Sequence, residues 1–308
     1  MMEPLVEKAE STILSSEIEK KKKSKIMKFL VFLKNNLGGM IGLLLVLISV
    51  MCAFFAPLIA PMDPGEASLT ARLAPPSWID ESGESSFFLG ADQLGRDLFS
   101  RIIYGAKISL TVGFFGVLIA LVIGTVFGLI SGYFGKWLDD IIMRVADVQL
   151  AFPFILFAIV IMSVLGTGIW NIVLILGLTY WVGFARLIRG QVITLKELEY
   201  VQAAKAVGGT NFSIIRRHIF PNIISSILVL GTLYIAEFIL LEASLTFLGL
   251  GVDPTIPSWG GMLADSRNYI ASAWWTSTFP GIAIMLTVFG FNLLGDWLRD
   301  KLDPNLKL

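Results

Sequence analysis

A bilayer core about 30 Å thick takes about 20 consecutive apolar residues of helix to cross, and charges are placed inside it only at high cost. Uncharged runs of that length constrain this sequence more than any other feature. Residues 37–60 hold 24 positions without a charge, and residues 108–135 hold 28 between Lys107 and Lys136. Residues 148–185 are uncharged for 38 positions, too long for one crossing. Gly166-Thr167-Gly168 divides that run in two, and its first half begins earlier, near Asp140. A fifth span covers residues 223–248 and a sixth residues 280–297. The expected fold is an all-α integral membrane protein with six transmembrane helices.

Composition agrees. Only 16% of the 308 residues are charged and 55% are hydrophobic, with a mean hydropathy of +0.76. A soluble domain carries about 25% charged residues, so this chain cannot clothe a globular surface. A soluble enzyme, a nucleic-acid binder and a disordered adaptor are excluded on that ground. The one cysteine, Cys52, excludes an internal disulfide and a cysteine metal cluster.

Basic residues in short loops stay on the cytoplasmic side of a membrane. With both termini inside, 19 of the 24 Lys and Arg residues fall on the cytoplasmic side. Only Arg72, Arg96, Arg101, Lys107 and Arg267 fall outside. The expected organisation is a basic cytoplasmic tail over 1–34, a first transmembrane helix with an extracytoplasmic segment over 35–106, and a five-helix core over 107–308 with a cytoplasmic loop at 190–222. The tail's lysines (Lys20, Lys21, Lys22, Lys23 and Lys25 among them) read as a topology signal on anionic inner-leaflet lipid rather than a nucleic-acid patch.

Inside the spans, Gly116, Ala120, Gly124, Gly128 and Gly132 put a small residue at every fourth position of the second helix, a face that lets another backbone approach closely. Glu237 and Glu242 are the clearest charges within a span, and they stand about 140° apart around the helix, so they are not one carboxylate pair. Each is a candidate for the solute pathway or for a structural role near the outer face. Arg144 and Asp147 are spaced for a local ion pair, Pro153 for a kink, and Trp274 and Trp275 for interfacial anchors. No Gly-x4-Gly-Lys-Ser/Thr occurs, so no nucleotide is hydrolysed here by that device. His218 is the only histidine and lacks companions for a zinc site.

The loop between the fourth and fifth spans reads KELEYVQAAKAVGGTNFSIIRRHIFPNI from Lys196. Its Glu- and Ala-rich start favours a helix, Gly208-Gly209 stops it, Asn211 can cap a second short helix, and Pro221 begins the next span. Such a small, alanine-faced helix suits a groove in a partner protein, or equally the surface of lipid headgroups.

Gln202-Ala203-Ala204, Gly208 and Pro221 at this spacing resemble the "EAA" loop of ATP-binding-cassette importer permeases. The resemblance extends across residues 30–308. It includes Leu89-Gly90-Ala91-Asp92-Gln93-Leu94-Gly95-Arg96-Asp97, Ser244-Leu245-Thr246-Phe247-Leu248-Gly249, Pro257-Ser258-Trp259-Gly260 and Gly295-Asp296-Trp297, which are similar to the dipeptide, oligopeptide and nickel branch, in its C-type membrane subunit. Gln202 stands where that motif usually has Glu, and His218 where it often has Ile. The resemblance implies a type I importer-like permease in a bacterial or archaeal inner membrane. Implied partners are a second homologous permease, two cytoplasmic ATPase subunits and an extracytoplasmic solute-binding protein. ATP and magnesium would be held by the ATPases, with no cofactor on this chain, and Gln202, Ala203, Ala204, Gly208 and Pro221 would couple it to them. An ATP-independent channel or secondary transporter is the alternative.

Overall fold

The computed structural model describes residues 36–80, 83 and 85–302. The basic tail and the last six residues lie outside this range, as do the expectations placed on them. Among the described residues ten α-helices follow in order: α1 (Leu37–Ile59), α2 (Leu98–Phe134), α3 (Lys136–Leu150), α4 (Phe154–Leu165), α5 (Ile169–Leu195), α6 (Glu199–Ala206), α7 (Asn211–Ile214), α8 (Phe220–Phe247), α9 (Trp259–Ser266) and α10 (Trp275–Leu302). A single π turn, Ile215–Ile219, joins α7 to α8. It ends in a Phe220 N–H to Ile215 carbonyl bond. That extra residue lets the helix run on through Pro221, whose ring nitrogen has no hydrogen to give.

Five helical stretches are long and apolar enough to cross a membrane. The sixth is broken: α3 and α4 are bent by 88°. The expected kink at Pro153 is thus a full corner. Proline fixes its own φ and leaves Leu150, Ala151 and Phe152 to turn the chain. The second span also differs from expectation, since α2 starts at Leu98, ten residues before the uncharged run. Asp97 caps it by accepting from the Ser100 N–H at 2.8 Å, and the charges of its first turns are drawn into a knot of their own.

That knot closes the end of the bundle where α2 begins. Asp92 accepts from Arg96 Nε at 2.6 Å and lies 3.4 Å from Arg101 Nε, while its other oxygen takes the Leu94 and Arg96 amides. Asp265 reaches Arg96 at 3.5 Å, and Arg101, 2% exposed, donates to the Pro64 carbonyl. Trp275 is buried rather than an interfacial anchor, because its indole N–H points at the Ala91 carbonyl. Trp259 donates to the Ile102 carbonyl and lies over Gly105, where a Cβ would come within 2.8 Å of the ring. The family-like segments at 89–97 and 257–260 are therefore the two halves of a lid packed on α2.

The long seam of the bundle is α2 against α5. A Cβ on Gly124 would lie 2.5 Å from the Trp181 carbonyl oxygen, one on Gly128 2.7 Å from that of Ala185, and one on Gly132 2.8 Å from Val192 Cβ. Gly116 meets the Phe238 ring of α8 instead. A second small-residue seam joins α1 to α10, where Gly42 faces the Gly290 carbonyl and Ser49 bonds Thr287 at 2.8 Å. Two ion pairs and Gln149 fasten α3 to α5. Asp139 takes Arg189 in a fork, and Asp147 pairs with Arg186 at 2.6 Å rather than with Arg144 one turn away. Gln149 donates to the Leu178 and Thr179 carbonyls and accepts from Trp181.

Two predictions follow from this packing. Gly124→Ala should cost about 1–3 kcal/mol by forcing α2 off α5. Gly190→Ala, on the same α5 with nothing within 4 Å, should be neutral or slightly stabilising. The thermal midpoint of each variant in detergent separates them. In the lid, Asp92→Asn should cost about 3–5 kcal/mol by leaving two buried guanidiniums without their carboxylate. Asp265→Asn, at a longer and more open contact, should cost far less. Equal midpoints for the two lid variants would contradict the hierarchy.

Candidate functional site

The loop after α5 is built outward from the bundle. Lys196 ends α5 and turns its ammonium onto the Gly132 carbonyl at 3.0 Å, satisfying an orphan acceptor at the end of α2. Gln202 folds back and donates its amide N–H to the Lys196 carbonyl at 2.8 Å. A glutamate there would bring no donor, so the departure from the usual motif has a local use. Tyr133, near the end of α2, donates to Asn211 Oδ1 at 3.0 Å. Asn211 is thus the first residue of α7 and a bond acceptor, not its cap. Thr210 caps instead, accepting from the Ser213 N–H. A pocket of about 310 Å³ lies among these groups, walled by Tyr133, Lys196, Val201, Gln202, Lys205 and Ile214.

Beyond this root the loop projects. Val201 and Ile214 are its buried feet. Gly208 sits at φ +85 with nothing around its Cα, so the turn requires glycine for its backbone and not for space. Gly209 makes room for the Ala204 carbonyl, to which its N–H donates. On either side of the turn Val207 is 87% exposed and Phe212 73% exposed, and Ala203 is open as well. Two large apolar side chains at the tip of the loop form an exposed apolar patch that the alanine motif alone did not reveal. Their signal in the sequence was an apolar residue just before Gly208-Gly209 and another two residues after Thr210.

The two span carboxylates part company. Glu242 is 0% exposed and its oxygens take the hydroxyls of Ser109 at 2.8 Å and Thr246 at 2.9 Å. It ties α2 to the C-terminal end of α8, and this sealed geometry speaks for the structural role rather than the pathway. Glu237 is only half-buried and accepts from Tyr180 Oη at 2.8 Å. Around it stand Tyr180, Tyr234, Phe184 and Phe238, none of which the sequence reading had joined to it. His218 lies 6.2 Å from the Tyr200 ring, and among the described residues no group of three or more His, Cys, Asp or Glu could hold a metal.

Comparisons with known proteins bear on this arrangement. The family described as "Binding-protein-dependent transport system inner membrane component" matches residues 124–308, and "N-terminal TM domain of oligopeptide transport permease C" matches residues 29–76. The dipeptide transport system permease protein DppC of Alkalihalophilus pseudofirmus is 46% identical over 89% of this chain and 88% of its own length. The di/tripeptide permease DppC of Pseudomonas aeruginosa is 42% identical over 92% and 93%. The glutathione transport system permease protein GsiD of Pectobacterium atrosepticum is 44% identical over 90% and 89%. Among solved structures, a chain of the MetNI methionine ABC transporter in an inward-facing form superposes with a TM-score of 0.54 at 16% identity, covering 66% of this chain and 96% of that one. That likeness shows the fold. With helices that span, a shared importer-permease fold and relatives matched along nearly their whole length, this chain is a multi-pass membrane protein that belongs to the family of binding-protein-dependent transport system inner-membrane components.

Proposed function

We propose that the chain is one of two membrane subunits of an ATP-driven importer for di- or oligopeptides or a related small solute, forming half of the translocation path. Both termini and the loop of residues 190–222 face the cytoplasm. Its partners are a second homologous permease, two cytoplasmic ATPase subunits and an extracytoplasmic solute-binding protein, all set in membrane lipid and none of them nucleic acid. ATP and magnesium are bound and hydrolysed by the ATPases, and this chain holds no cofactor.

The exposed Val207–Phe212 tip on a rigid root carries this reading. Gln202, Ala203, Ala204 and Gly208 give the docking element its shape, and Pro221 starts the span that follows. An ATPase pair that closes on ATP moves the tip. Because Lys196 and Tyr133 fasten the root to the inner end of α2, that motion reaches a helix about 55 Å long whose other end sits in the lid. A partner that binds one arrangement of the bundle more tightly than the other shifts the population between them. The lid over residues 63–107 and the loop 249–279 then meet the binding protein, and Glu237 lies on the solute path. The dipeptide, di/tripeptide and glutathione systems of the relatives support a peptide-like solute.

Val207→Asp and Phe212→Asp test docking without disturbing the fold, since both side chains stand in the open. Each buried side chain of this size is worth about 1.5–3 kcal/mol on docking. Either variant should therefore weaken ATPase co-purification by about tenfold or more and abolish ATP-dependent uptake while the permease still inserts. Unchanged ATPase recovery and full uptake in both would overturn the coupling assignment.

A further inference from the structure

Glu237 is an unusual group to find where it stands. It occupies the interior of α8, a stretch that crosses the membrane, yet part of it remains open. Among the described residues it joins no ion pair, and its hydrogen-bond partner is the Tyr180 hydroxyl. Glu242, five residues on, shows what a structural carboxylate looks like in this bundle: closed off, with a hydroxyl on each oxygen. A half-open carboxylate cannot rest against lipid tails, so its open side faces water or a cation.

The surroundings select which cation. The Tyr180 and Tyr234 rings meet edge to face at 5.3 Å, and Tyr234 stacks on Phe238 at 6.0 Å with 12° between planes. Phe184 closes the cluster at 5.2 Å from Tyr234. The Tyr234 hydroxyl rests against Gly183, which has no side chain to displace it, and among the described residues it makes no hydrogen bond. One carboxylate and two phenol oxygens able to accept suit an ammonium group. They oppose a phosphate or a carboxylate.

An approach to the site is also present. Leu240 and Ser244 follow Glu237 by three and seven residues, so all three share one side of α8. Leu240 and Ser244 line a groove of about 850 Å³ between α8 and α10, and no charged residue lines it. Glu237 does not itself line the groove; it stands about one helical turn before Leu240 on the same side of α8.

We propose that Glu237, with Tyr180 and Tyr234, is a binding station for the ammonium end of the solute during its passage. This inference rests on the placement of Glu237 on the solute path and deepens it. Cys52 is the only cysteine of this chain, so Cys52→Ser removes its background thiol, and labelling is read on this subunit after the complex is separated. In the assembled importer, Leu240→Cys, at a side chain already 45% exposed, reports on the site, and Ser244→Cys is a second reporter two turns away. The probes are a cationic trimethylammonium methanethiosulfonate and an anionic sulfonate one, each rate divided by that for a free thiol in solution. With Glu237 in place the cationic reagent should react about tenfold faster than the anionic one. Glu237→Gln should bring the ratio close to one, and Glu237→Asp should restore most of it, in preparations that keep their ATPase. A ratio that is the same with Glu237 and Gln at this position would overturn the ammonium station while leaving the path intact. Failure of both reagents to reach either reporter, without nucleotide and with ATP bound, would remove Glu237 from the path and the station with it.

Discussion

Helices in hydrocarbon gain little by hiding apolar side chains from one another, because lipid tails are just as apolar. What holds this bundle is close backbone approach along α2 and α5, made possible where Gly124, Gly128 and Gly132 give up their side chains to the Trp181, Ala185 and Arg189 carbonyls. Everything else is hung from that pair. The lid is tied to the N-terminal end of α2 by Trp259 and Arg101. The loop after α5 is tied to its C-terminal end by Lys196 and Tyr133. The broken span is tied to α5 by Arg186, Arg189 and Gln149. A helix held along its length and anchored at both ends can carry a displacement from one membrane face to the other.

Most of the buried polar chemistry is paired; Arg101 Nε, Thr125 Oγ1 and Gln191 Oε1 are the buried side-chain atoms without a hydrogen bond among the described residues. The Asp92, Arg96 and Arg101 cluster buries charge outside the apolar layer, where several backbone groups help to neutralise it. Glu242 spends both oxygens on hydroxyls. Against that background the partly open Glu237 and the bare apolar tip at Val207 and Phe212 are exceptions, and exceptions of this kind mark places where a partner or a solute completes the structure.

The spans, the glycine face and the turn at Gly208 were legible in the sequence because each is a local pattern: a run of uncharged residues, a four-residue period, a pair of glycines after a helix former. What escaped was set by groups far apart in the chain. The extension of α2 back to Leu98 is invisible to hydropathy, since Arg101 and Lys107 interrupt the apolar run and only the lid explains why Arg101 is tolerated. Asp147 had Arg144 at helical spacing, but Arg186, 39 residues on, offers the shorter contact. Trp275 resembled an interfacial anchor until the Ala91 carbonyl was placed beside it. Pro153 announced a break, but not the 88° angle between α3 and α4. The α1–α10 seam was missed because Gly39, Gly42 and Gly290 lie in two helices that only the fold brings together. The family-like motifs were recognisable as text, but that those at 89–97 and 257–260 pack together as the lid became clear only from their contacts.

The most direct test is solute movement by the assembled complex in sealed vesicles, with the binding protein and radiolabelled dialanine on one side and ATP on the other. Accumulation of the peptide above its outside concentration, dependent on ATP and lost when the ATPases are omitted, is the expected result. Equilibration that proceeds at the same rate without ATP would contradict an ATP-driven importer and leave the channel or secondary transporter in its place.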